Sequence, residues 1–132
     1  MSSAARVSII IPAWNLWQMT AACLRSLAEH TQGENVEVVV VDNGSTDATV
    51  TELEPLGNAL FGADFRRVRL PGNLGFAKGC NAGAKASSGG RLFFLNNDTT
   101  MTPGWLPPLR QALEQPRVEA VGPLLLYPNG TV

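Results

Sequence analysis

The sequence predicts an α/β domain of three α/β/α layers, with a mainly parallel central sheet and strand order 3-2-1-4 for its first four strands. Three observations lead there. Strand-like and helix-like segments alternate along the whole chain, which implies right-handed crossovers and a sheet covered on both faces. Val7–Ile11 and Val36–Val41 are short, β-branched, nearly all-apolar runs, as strands buried on both faces require. Each strand-like run then changes abruptly into polar or turn-forming residues, the pattern of a loop-lined rim at the carboxyl ends of the strands.

The first strand, Val-Ser-Ile-Ile-Ile, is expected to stop at Pro12, which cannot donate to a ladder. Ala13-Trp14-Asn15 is a turn, and a helix is expected from Leu16 to His30 with Met19, Cys23, Leu24 and Leu27 at helical spacing. Asn15 followed by Gln18 resembles a capping box. The second strand ends in Asp42-Asn43-Gly44; Ser45 then caps a helix with Asp47 in its first turn, which Pro55 and Gly57 are expected to end near Glu54. Phe65–Leu70 alternates apolar with basic residues and suits an edge strand. Leu74 to Ser87 reads as a small-residue helix with Phe76, Ala77, Cys80 and Ala84 on one face. Gly79 and Gly83 each cost about 1 kcal/mol against Ala there, which close packing on the sheet or a ligand would justify. Leu92–Leu95 is a fourth strand, expected to be buried on both faces. Prolines at 103, 107 and 108 mark the start of a helix carrying Leu106, Leu109 and Leu113. Val118–Tyr127 reads as a further strand, and Pro128-Asn129-Gly130 as the turn of a hairpin.

The 132 residues suit one domain, with 45% hydrophobic and 16% charged residues. A net charge of −1 leaves no electrostatic footprint for nucleic acid. No apolar run reaches transmembrane length, and the segment from Met1 has no signal-peptide core. Cys23 and Cys80 lie in no metal or redox spacing and read as buried apolar residues of a reducing, cytoplasmic compartment. His30 reads as a helix-end residue without a functional role.

The rim residues suggest a ligand. Trp14, Asn15, Asp42, Asn43, Asn96, Asn97 and Asp98 all follow strands, and Asn73, Lys78 and Asn81 follow the third. A tryptophan in a turn offers a flat face to a ring, or a cover for the end of the sheet. Asp42 can accept from an N–H on a base edge, and Asp98 can hold a divalent cation that neutralises a diphosphate. Together these suggest a pyrimidine-type nucleoside diphosphate with a metal. Taken singly, Asn96-Asn97-Asp98 is also a turn, Asn15 a helix cap, Asp42-Asn43-Gly44-Ser45 a turn and cap, and Lys78 a solvated charge.

Four segments, in order, resemble the nucleotide-binding half of a family 2 glycosyltransferase of the GT-A type. They are Val-Ser-Ile-Ile-Ile-Pro-Ala-Trp-Asn (7–15), Val-Val-Val-Val-Asp-Asn-Gly-Ser-Thr-Asp (38–47), Asn-Leu-Gly-Phe-Ala-Lys-Gly-Cys-Asn-Ala-Gly (73–83) and Leu-Phe-Phe-Leu-Asn-Asn-Asp (92–98). The resemblance implies that Trp14 stacks on a uracil or thymine, with Pro12 and Ala13 beside it, and that Asp42 and Asn43 lie at the base. It implies that Asn73, Lys78 and Asn81 line the nucleotide site. Asn96–Asp98 falls on the Asp-x-Asp motif, with Asp98 at its metal-binding end and Asn96 replacing its first acid. The implied cofactor is Mg²⁺ or Mn²⁺, and the implied donor a UDP- or dTDP-sugar. The implied chemistry is inverting transfer to the hydroxyl of a carbohydrate or lipid-linked acceptor, as in cell-envelope polysaccharide synthesis. The full-length protein would then work in the cytoplasm or at the cytoplasmic face of the membrane.

The catalytic base and acceptor half are expected beyond Val132, so the chain reads as a C-terminally truncated fragment, inactive alone. Glu52, Glu54 and Glu114 fall on helix surfaces and are not assigned as the base. A non-catalytic nucleotide-sugar-binding or assembly module is the alternative. A dinucleotide-binding oxidoreductase is disfavoured, because the first strand leads into Pro-Ala-Trp-Asn without a glycine turn.

Overall fold

The computed structural model describes residues 4–132. The segment read as lacking a signal-peptide core therefore falls partly outside the described residues.

The elements alternate as expected: β1 (Val7–Ala13), α1 (Trp17–His30), β2 (Val36–Asp42), α2 (Thr49–Phe61), a 3₁₀ turn (Gly62–Asp64), β3 (Phe65–Arg69), α3 (Phe76–Ala86), β4 (Arg91–Phe94) and α4 (Leu106–Leu113). The sheet is four-stranded with order β3-β2-β1-β4, and every pairing is parallel. The predicted strand order is the observed one.

The central pair, β1 and β2, is buried along its whole length. Period-two alternation divides its side chains between two layers. Ile9, Ile11, Val38 and Val40 face one core with Cys23, Leu24 and Leu27 of α1, Leu53 of α2 and Leu106 of α4. Ile10, Val39 and Val41 face the other layer, where Ala82, Ala84 and Ala86 of α3 pack. The third layer can come this close because α3 is glycine-striped. A Cβ on Gly83 would lie 2.4 Å from Ile10 Cγ2 and 3.0 Å from Val41 Cγ2. Gly79 differs, since a Cβ there would make only ordinary contacts, at 3.5 Å, with Asn43 and Pro12. The buried side of α3 is thus this glycine stripe, and Phe76 is 61% exposed rather than part of a packing face.

Several boundaries differ from expectation for identifiable reasons. Pro12 does not end β1; it pairs in register with Val41, and the strand runs on to Ala13. Its missing N–H is harmless because the β1–β4 ladder stops nearby, with Leu95 N–H donating to Ile10 C=O. Pro55 does not end α2, which continues through it to Phe61. Burial of Leu53 and packing of Leu56, Leu60 and Phe61 on the core outweigh the proline's local cost. Gly57 is required because a Cβ there would meet the Phe65 ring at 2.3 Å.

At the other edge, β4 is covered on one face only. Phe93 packs on Trp105 with ring centroids 4.9 Å apart, whereas Leu92 and Phe94 are 45% and 48% exposed. Residues 118–127 form no strand; they run irregularly, with Leu124–Tyr127 exposed. The turn after them does form, with Gly130 N–H donating to Tyr127 C=O and Tyr127 N–H to Thr131 C=O. Cys23 is buried and Cys80 half-buried; both thiols are free, and burial pushes Cys23 up to about 11.

The α3–sheet contact gives a direct test. Gly83→Val should overpack this layer and lower stability by about 1–3 kcal/mol, read as a reduced urea midpoint. An unchanged midpoint would mean that α3 does not lie this close.

Candidate functional site

Because all four strands are parallel, their carboxyl ends lie along one rim. The loops leaving that rim are tied together by side-chain hydrogen bonds. Asn15 Oδ1 accepts from the N–H groups of Thr46 and Asp47, at 2.8 and 3.2 Å. Ser45 Oγ in turn accepts from Asn15 N–H at 2.8 Å, and Asp47 Oδ2 from Trp17 N–H at 3.0 Å. So Asn15 and Ser45 are not helix caps as expected. They clamp the β1–α1 turn to the β2–α2 loop; the N-cap residues Leu16 and Ala48 supply no side-chain bond, and Asp47 instead accepts from the first N–H of both helices, Trp17 and Thr49. The clamp holds Asn15 and Leu16 at φ 53° and 54°, a left-handed conformation that asparagine tolerates better than leucine.

The last turn of β2 sends its two polar side chains to opposite layers. Asn43 points toward α3. Its Oδ1 accepts from Leu74 N–H at 2.9 Å and its Nδ2 donates to Gly75 C=O at 3.1 Å, fixing the loop that enters α3. Gly44, at φ 80°, allows the two loops to touch, since a Cβ there would lie 2.5 Å from Gly72 Cα. Asp42 points the other way and is fully buried. Its Oδ1 accepts from Ser45 N–H at 2.9 Å, and its Oδ2 from Arg69 Nη1 at 2.6 Å and Arg67 Nη2 at 3.3 Å. Burial pushes this carboxyl up, but the Ser45 and Arg69 hydrogen bonds outweigh it, leaving Asp42 below the usual carboxylate range.

At the end of β4, Asn97 is half-buried and donates to Thr20 Oγ1 of α1 at 3.0 Å. The Asn96 carbonyl accepts from Thr99 Oγ1 at 2.7 Å. Asp98 is exposed and, among the described residues, makes no ion pair. No group of three His, Cys, Asp or Glu side chains able to hold a metal occurs among the described residues. One free carboxylate with amide neighbours still fits a hard cation that takes its remaining oxygens from a phosphate ligand.

The structure therefore brings Pro12, Ala13, Trp14, Asn15, Asp42, Asn43, Asn73, Asn96, Asn97 and Asp98 to one rim. Pro12 and Ala13 are buried strand residues, while Trp14 is 50% exposed. Asn73 closes its own turn, accepting from Gly75 N–H at 3.0 Å. Lys78 and Asn81 are exposed on α3 and are not tied into the loop network. Sequence reasoning missed Arg67, Arg69 and the clamping role of Ser45. The arginines' signal was present in the alternation of β3, which places both on one face, with Arg69 in register with Asp42.

The family model described as "Glycosyl transferase family 2" matches residues 8–131. The chain belongs to glycosyl transferase family 2.

Among its curated relatives is the O-antigen biosynthesis protein RfbC of Myxococcus xanthus, 37% identical over 96% of this chain and 10% of RfbC. An uncharacterized glycosyltransferase of Bacillus subtilis, YfnE, is 37% identical over 70% of this chain and 23% of its own length. The chain thus spans a quarter or less of these relatives. Among solved structures, the mannosyltransferase PcManGT of Pyrobaculum calidifontis, in complex with GDP-Man and Mn²⁺, superposes with a TM-score of 0.80. That match covers 86% of this chain and 34% of PcManGT, and at 23% identity it speaks to fold alone. S. aureus TarS 1-349 in complex with UDP gives a TM-score of 0.71 at 28% identity, covering 83% of this chain and 32% of that one. The family 2 fold is the GT-A arrangement seen here, a parallel 3-2-1-4 sheet between helical layers. Among the described residues no helix of this family 2 domain is long and apolar enough to cross a membrane.

The buried carboxylates, both held below their ordinary range, predict a loss of stability in acid. Glu37, on the α3 side, is likewise held below its usual range: burial raises it, but Ser8, Ser88 N–H and Arg6 together lower it further. A depressed folded-state value means that this stability is complete above the unfolded carboxyl values of about 4 and is lost as pH falls through the folded values. Asp42→Asn should therefore be less stable at neutral pH yet lose less stability on acidification to about pH 3, measured by circular dichroism.

Proposed function

We propose that this domain binds a nucleoside-diphosphate sugar, with UDP- or dTDP-sugars favoured, together with Mg²⁺ or Mn²⁺. In the full protein it would transfer the sugar to an acceptor hydroxyl with inversion. The observation that carries the reading is the clamped rim, where an exposed aromatic, a buried acid–arginine cluster and a free carboxylate leave adjacent parallel strands. Family membership supports transfer chemistry, and TarS, solved with UDP, supports a uracil nucleotide. PcManGT, solved with Mn²⁺, supports a divalent metal.

In this reading each residue has a defined task. Trp14 offers its exposed face to the base, and the Asp42 cluster receives the base's polar edge. Asn15, Asn43 and Asn73 hold the loops in the shape of the site. Asn96 and Asn97 face the ribose and diphosphate with amide groups, and Asp98 holds the metal. Lys78 and Asn81 lie along the α3 side of the diphosphate. The bound metal supplies Lewis-acid neutralisation of the departing diphosphate. This chain's residues bind and orient that leaving group. Deprotonation of the acceptor, a carbohydrate or lipid-linked hydroxyl, is assigned to no residue of this chain. Such a reaction belongs in the cytoplasm, at the membrane face when the acceptor is lipid-linked.

With one carboxylate in the donor set, the metal and the nucleotide should bind together. Calorimetry of the chain with UDP should show binding in Mn²⁺ that weakens sharply in EDTA. Asp98→Ala should bind UDP equally weakly in both. Unchanged metal-dependent binding by that variant would falsify the role given to Asp98.

A further inference from the structure

The acid at the base subsite is not itself open to a ligand. Asp42 is fully buried, and its oxygens already receive Ser45 N–H, Arg69 and Arg67. Arg69 lies over it with 42% of its side chain exposed, at the last position of β3 and in register with Asp42. One guanidinium nitrogen donates to Asp42 at 2.6 Å and the other to Ser45 C=O at 3.1 Å. Ser45 also accepts from Asn15 N–H, so the same residue links the guanidinium to the Trp14–Asn15 turn.

We propose that Arg69, rather than Asp42, is the group that meets the nucleobase, and that Asp42 is the positioning residue behind it. This rests on the reading of the rim as a nucleotide site. An arginine carries only donors, in a planar fork, and two of its contacts here are spent on protein oxygens. Among the described residues no other protein oxygen claims its remaining N–H groups, and on a side chain 42% exposed they suit the carbonyl oxygens of a base such as uracil or thymine. The buried carboxylate neutralises the cation and holds the plane of the fork, so little side-chain freedom is lost when a base docks. Arg67, half-buried on the same face, shares Asp42 and reaches Glu54 Oε2 at 3.8 Å, which bolsters the cluster from below.

The two possible contacts predict opposite outcomes for substitution at Asp42 and Arg69. If a base contacted Asp42 directly, Asp42→Asn would be the damaging change and Arg69→Gln would uncover the acid. If Arg69 meets the base, Arg69→Gln is the damaging change. The test is calorimetry of the full chain in Mn²⁺ with two probes, UDP and inorganic pyrophosphate, the second lacking a base. Arg69→Gln should weaken UDP about tenfold or more, the worth of a hydrogen bond from a charged donor, and leave pyrophosphate unchanged. Asp42→Asn should weaken UDP by less, again without affecting pyrophosphate; a merely structural role would lower both probes together. Arg69→Gln leaves a buried carboxylate short of a partner, so the double variant Arg69→Gln/Asp42→Asn carries the same test if the single one does not fold. UDP binding untouched in the folded Arg69 variants, or an equal loss for both probes, overturns the inference alone. Failure of the unaltered chain to bind UDP overturns the proposed function and this inference together.

Discussion

The register of β1 against β2 is the constraint on which the rest of the molecule depends. Val7 pairs with Val36 and each following residue with the next, through to Ala13 and Asp42. Both strands are sealed from solvent along their whole length, so a slip of β2 by one residue would turn Val39 and Val41 toward the wrong helical layer. It would also exchange the directions of Asp42 and Asn43. Those two adjacent residues serve opposite sides of the sheet: one receives arginines from β3, the other anchors the loop entering α3. The loop network at the rim is thus a consequence of how the hydrophobic core is phased.

Polar burial follows the same phasing. Asp42 and Glu37 are carboxylates inside a sheet made mostly of valine and isoleucine, and each is held by several donors from different elements. Such a group costs much when one partner is lost and little when all are present. Asp42 therefore joins β2, β3 and the loop after β2, while Glu37 joins β1, β2 and the loop after α3 through Ser8 and Ser88. The two clusters lie near opposite ends of β2, and on opposite faces. Of the two, the Asp42 cluster lies at the rim that holds Trp14 and Asp98. The loops at this rim are made stiff by side chains that cross between them.

Much of this was legible beforehand, for reasons that are local. β-branched runs ending at turn residues located β1 and β2, and the basic alternation of Phe65-Arg66-Arg67-Val68-Arg69 identified an edge strand. The doubt about Gly79 and Gly83 inside a helix was resolved in favour of close packing, at Gly83 in particular. Readings that rested on one residue's local habit fared worse. Asn15 and Ser45 looked like helix caps because both residues commonly cap, yet their side-chain oxygens were claimed by each other's loops. Pro55 looked like a helix end, and packing of its neighbours overruled it. Residues 118–127 carry strand-like composition yet form no ladder, and Leu92 and Phe94 of β4 are left exposed.

The sequence alone determined the class of fold, the strand order and the rim on which polar residues gather, because periodicity and turn chemistry are written residue by residue; the family was carried by the resemblance of four motif segments. Only the tertiary structure decided which of those polar groups are buried against protein partners and which are left exposed. Asp42 and Arg69 are far apart in the chain, and nothing local says that the arginine lies over the acid and buries it. Exposure is a property of what packs on top of a group, and that is known only once all the strands are side by side.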